Sequence, residues 1–112
     1  MRPESRKFLF DIQTAAKQLN TFKEGKSFTD YAADPMLRSA VERQFEIIGE
    51  ALSQLAKIDQ EAANRISNWR RIVDFRNVLA HGYAVVDDQL VWDVLQSKLP
   101  TLATEVSALL DR

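Results

Sequence analysis

Apolar residues recur every three or four positions through most of this chain, and residues able to break that rhythm are scarce. Three glycines and three prolines in 112 residues are too few for the many tight turns of a sandwich or barrel, so the rhythm reads as helices. Phe8, Ile12, Ala15, Ala16, Leu19 and Phe22 lay one stripe along a helix from about Pro3 to Phe22, stopped by Lys23-Glu24-Gly25-Lys26. After a connector carrying Phe28 and Tyr31, Asp34-Pro35 joins an N-cap carboxylate to a proline at the first helical position, where its missing N–H costs nothing. The helix that follows has two apolar faces: Leu37, Val41, Phe45, Ile48, Leu52 and Leu55 on one, Ala40, Ile47 and Ala51 on the next. Two faces imply a central helix or one that also meets a partner subunit. Gly49 sits inside this pattern, where glycine costs about 1 kcal/mol against alanine and allows a close helix approach.

A short segment after Ile58, with Asp59 as N-cap, leads to Asn68. Trp69, Ile72, Val73, Phe75, Val78 and Leu79 then form another stripe that ends at Gly82. The last region, Leu90 to Leu99, is preceded by the Asp87-Asp88 cap, and Pro100 bends or restarts it before Leu102, Ala103, Val106, Leu109 and Leu110. The expected architecture is an all-α bundle of four to five helices forming one domain over residues 1–112.

Several function classes are excluded by composition. The chain has no cysteine and one histidine, so a thiolate zinc site, a cysteine nucleophile and a multi-histidine metal site are all unavailable. A formal charge of -1 rules out phosphate binding through bulk positive charge, leaving only local attraction. The opening MRPESRKFLF lacks the apolar core of a signal peptide, and no run approaches the ~20 apolar residues of a membrane span. A cytoplasmic protein with no membrane partner is expected.

Chemistry concentrates in Arg76-Asn77-Val78-Leu79-Ala80-His81-Gly82-Tyr83, which gathers a permanent cation, an amide, the single imidazole and a phenol. On an ideal helix Arg76 and His81 lie roughly 140° apart, so they share a site only if the helix ends there. Gly82 is placed to end it, since glycine accepts the left-handed conformation just past a helix terminus. Each residue also has an ordinary reading: a capping histidine, a surface arginine, a packed tyrosine. Against that, Arg65, Arg70, Arg71 and Arg76 are opposed only by Asp74 between Asn64 and Tyr83, while Ala84 to Arg112 carries five acids and two bases. Arg70 and Arg71 are therefore candidate RNA contacts. Cleavage of RNA by its own 2′-OH needs a group that moves a proton near neutral pH and a cation that stabilises the phosphorane. His81 and Arg76 supply these, with Asn77 orienting a phosphate or the imidazole. Glu46 and Glu50 either pair with Arg76 across the bundle or stay solvated, and they are left outside the site.

The Arg-x4-His-x-Tyr pattern from Arg76 to Tyr83 resembles the signature of HepT-like toxins of the HEPN superfamily. The likeness extends to Val41–Ala51, to Trp69, and to Val91-Trp92 followed by Leu99-Pro100. The resemblance implies a homodimeric HEPN-type bundle with Arg and His of both subunits in an interfacial cleft. It also implies metal-independent endoribonuclease activity without a cofactor and with no DNA specificity. The implied partner is a MntA-type nucleotidyltransferase antitoxin that transfers AMP to the motif tyrosine, here Tyr83. The polar residue after the motif arginine maps to Asn77. One departure is Asn68, where a proline often precedes the tryptophan. A non-catalytic HEPN-type module that binds a nucleotide or protein through the same groove is the alternative.

Overall fold

A computed structural model of the chain describes residues 1–81 and 86–112. Seven helical elements account for its architecture among the described residues: α1 Pro3–Lys23, α2 Phe28–Ala33, α3 Pro35–Ile58, α4 Gln60–Asn64, α5 Trp69–His81, α6 Asp88–Ser97 and α7 Leu99–Leu110. The expected four to five helices are the long ones, and the difference has a local cause. The connector around Phe28 and Tyr31 is itself a helix of six residues, too short for a periodic stripe. It is held by a reciprocal cap in which the Ser27 hydroxyl accepts from Asp30 N–H and the Asp30 carboxylate accepts from Ser27 N–H. Pro100 does not bend one helix: α6 closes at Lys98 and α7 begins anew with the proline in its first turn.

The other caps fall where the sequence places them. Asp34 accepts from Met36 and Leu37 N–H at 3.0 and 3.1 Å, Asp59 accepts from Ala62 N–H at 3.1 Å, and Asp87 accepts from Gln89 and Leu90 N–H. Each satisfies amide donors that a helix start would otherwise leave open.

α3 is the central helix, packed against α1, α2, α4 and α5. Leu9, Ile12 and Leu19 of α1, Ile48, Leu52 and Leu55 of α3, and Val91, Leu95, Leu99 and Val106 beyond them are fully buried, each worth about 1.5–3 kcal/mol. The first apolar face of α3 also meets α5, where Phe45 lies edge to face on Phe75 at 5.3 Å, while Ile47 and Ala51 of the second face line a groove together with residues of α1 and α5. Among the described residues the exposed large apolar side chains are Met1, Phe10 of α1, Met36 of α3, Val78 of α5 and Leu90 of α6, the last two 59% and 49% exposed. No helix among the described residues is long and apolar enough to cross a membrane.

Candidate active site

The start of α5 is set by three contacts rather than by a proline. Asn68 adopts φ 58, a left-handed conformation that asparagine tolerates and proline, with φ fixed near −65°, cannot take. Its carbonyl accepts the first helical N–H, from Ile72 at 3.2 Å. Behind it, Ser67 donates through its amide and hydroxyl to the two carboxylate oxygens of Glu105 on α7, at 3.0 and 2.8 Å, and Trp69 Nε1 donates to Asn64 Oδ1 at 3.1 Å. The turn expected from the usual proline is therefore built differently here.

Seven residues into α5, Arg76 lies where α3 and α5 come closest. A Cβ added to Gly49 would stand 2.2 Å from Arg76 Cβ and 2.6 Å from its Cγ, so only glycine admits this approach. Next to it, Glu50 Oε2 accepts from Arg76 Nη2 at 2.8 Å. The other terminal nitrogen, Nη1, donates to Asn77 Oδ1 at 2.8 Å. Glu50 is in turn held by Gln54, whose Nε2 donates to Oε1 at 3.1 Å. Gln54, Glu50, Arg76 and Asn77 thus form one hydrogen-bonded chain across two helices. Asn77, expected to orient a phosphate or the imidazole, is used here to hold the guanidinium.

Arg76 lines a groove of about 370 Å³ between α1, α3 and α5, whose other charged walls are Lys7, Asp11, Arg43, Glu46 and Glu50. The groove takes Ala80 from the end of α5 but not His81. His81 is the exposed last residue of the helix, and five helical positions turn it about 140° away from Arg76. Within one chain the two residues therefore leave α5 on different sides. Arg70 is exposed with its guanidinium 4.5 Å from the Trp69 ring centroid. Arg71 borders a second groove of about 330 Å³, walled mainly by Phe45, Ile72, Phe75, Leu90 and Val94. Gly82, the expected helix stop, and Tyr83 lie outside the described residues. Among the described residues no three His, Asp or Glu side chains gather as a metal-holding group.

Two residues that belong to this arrangement were outside the site as read from sequence, Glu50 and Gln54. The signal that points to them is Gly49: a glycine inside a helical stripe marks a close neighbour, and the acid beside it is the side chain placed to meet that neighbour's charge.

A family model described as ribonuclease HepT-like matches residues 12–109. Among similar proteins, one from Caldanaerobacter subterraneus subsp. tengcongensis, provisionally named an RNase, is 34% identical over 80% of this chain and 79% of its own. Another provisionally named RNase, from Methanocaldococcus jannaschii, is 31% identical over 88% of this chain and 90% of its own. A protein of Thermococcus cleftensis named probable ribonuclease HepT is 29% identical over 91% and 92%. No solved structure matches.

Proposed function

We propose, from the premise that this chain belongs to the HepT-like ribonuclease family, that it is a metal-independent endoribonuclease, the toxin of a HepT/MntA-type pair. The observation that carries this reading is the placing of Arg76. Its guanidinium is held at a groove by two partners while the same helix ends at the single histidine of the chain. A fixed planar cation suits the equatorial oxygens of a phosphorane. An imidazole is the side chain that takes and returns protons near neutral pH.

In the proposed reaction the ribose 2′-oxygen attacks phosphorus as His81 accepts its proton. The phosphorane charge falls on Arg76, and the bond to the 5′-oxygen breaks as that oxygen takes the proton back from the imidazolium, leaving a cyclic phosphate and a neutral histidine. Metal independence is supported by the absence of cysteine and the single histidine. Cleavage is expected to continue in EDTA. Arg76→Ala and His81→Ala each lower it by about 100-fold or more with helicity unchanged by circular dichroism. If both variants cut RNA at the parental rate, the chain is a binding module and not a nuclease.

A homodimer is part of the proposal, because a second copy is the simplest way to bring a His81 to an Arg76 that faces another side of its own helix. Exposed Val78, three positions before His81, and exposed Leu90 support an apolar contact at that end. Sedimentation should give a dimer, and a monomer at micromolar concentration that still cleaves RNA would refute the shared site. The proposed point of control is Tyr83, two residues past His81. An AMP there brings bulk and negative charge to the cleft and competes with the RNA phosphate. Co-expression with the partner nucleotidyltransferase should add about 329 Da per AMP, a shift lost in Tyr83→Phe.

A further inference from the structure

Building on the ribonuclease reading, we infer that Glu50, braced by Gln54, is the positioning residue that sets the orientation of the Arg76 guanidinium for phosphate. Three observations converge on it. First, the Arg76–Glu50 contact at 2.8 Å is the shortest ion pair among the described residues and crosses between helices, whereas Arg43–Glu46 and Arg65–Glu61 are single-helix pairs at 3.6 and 3.8 Å. Second, both ends of the arrangement are tied. Gln54 occupies the second oxygen of Glu50 and Asn77 the second terminal nitrogen of Arg76, which removes the rotations that would let the fork turn.

Third, the helix carrying Glu50 accepts a glycine at position 49, where alanine would make the better helix. A Cβ there would collide with Arg76. The arrangement is not explained by stability. With the Arg76 and Glu50 side chains 30% and 50% exposed, an ion pair adds little to folding. What it fixes is direction. A guanidinium carries five N–H donors, and two are used by Glu50 and Asn77. The remaining three are held in one plane at the groove wall, ready for phosphate without the reorganisation that a mobile side chain requires.

Glu50 acts through Arg76 on the transition state, so its loss should appear in kcat rather than KM. Glu50→Ala is expected to lower kcat about 10- to 100-fold with KM within about threefold. Glu50→Gln, which keeps an acceptor oxygen, recovers most of that loss, and Gln54→Ala loses only a few-fold. A second readout does not depend on cleavage. In 1H–15N spectra of the Arg76 side chain, hindered rotation gives separate signals for the two terminal nitrogens of the parental protein, and Glu50→Ala merges them. A parental or raised kcat in Glu50→Ala, with Arg76→Ala inactive, overturns the positioning role, as does an unchanged spectrum. If the parental protein cuts no RNA yet its Arg76 signals merge only when Glu50 is removed, the positioning stands and the ribonuclease reading fails.

Discussion

The two flanks of α5 are built on opposite principles. Toward α1 and α3 the helix borders a groove whose charged side chains are tied in pairs, Lys7 with Asp11, Arg43 with Glu46 and Arg76 with Glu50. Toward α6 and α7 it borders a groove of rings and branched chains around Phe45, Ile72, Phe75 and Val94. The polar flank contributes direction and little stability, whereas the apolar flank contributes stability and little direction. A thirteen-residue helix can therefore present a charged side chain with a fixed aim, because its attachment to the bundle rests on its packing against α3 and not on the ion pairs of the groove.

That division makes ordered predictions. The largest loss should come from the apolar flank. Phe45 is 3% exposed, and Phe45→Ala is expected to cost about 3–5 kcal/mol in chemical denaturation, through lost burial and the cavity left against Phe75. Next is the seam itself. Gly49→Ala should destabilise by about 1–3 kcal/mol although alanine is the better helix former, because the added Cβ overpacks against Arg76. A stabilised variant would show that α3 and α5 are less closely fitted. On the polar flank, Glu50→Ala should change stability by no more than ~1 kcal/mol, and a larger loss would mean that the pair carries the fold as well as aiming Arg76.

The smallest effect should come from Glu42, whose carboxyl is pushed above its ordinary 4.5 by burial first and then by Asp88 and Glu46. The folded chain holds that proton more tightly than the unfolded one, so stability falls as pH climbs from 4.5 through the folded value. Glu42→Gln should be slightly more stable than the parent at pH 7, with the gain vanishing below 4.5. Thermal melts across that range check it.

Much of this division was legible in the sequence where the cause is local. Asp34-Pro35, Asp59 and Asp87 announce helix starts because a cap needs only neighbours within three residues. Gly49 announced a close approach, though not what would approach. α2 was not legible, since six residues show no period and its cap uses Asp30 in place of the usual Glu or Gln. Nor was the Glu50–Arg76 pair, because 26 positions separate its members and only the packing register of α3 on α5 decides whether they meet. The same holds for the meeting of Phe45 with Phe75, which are also far apart in the chain.

The clamp between Ser67 and Glu105 bears on the order in which the molecule is made. α1 can settle on α3 as soon as both have left the ribosome. The turn that launches α5, however, is tied to a carboxylate 38 positions later, and α1 itself is closed over by α7 through Arg6 and Gln13. The helix bearing Arg76 therefore acquires its final footing only when synthesis has passed Glu105. Stalled nascent chains probed by limited proteolysis should show α5 protected only once α7 has emerged. The helix that carries Arg76 thus depends for its footing on a segment made after it, and a chain stopped before Glu105 would lack that footing.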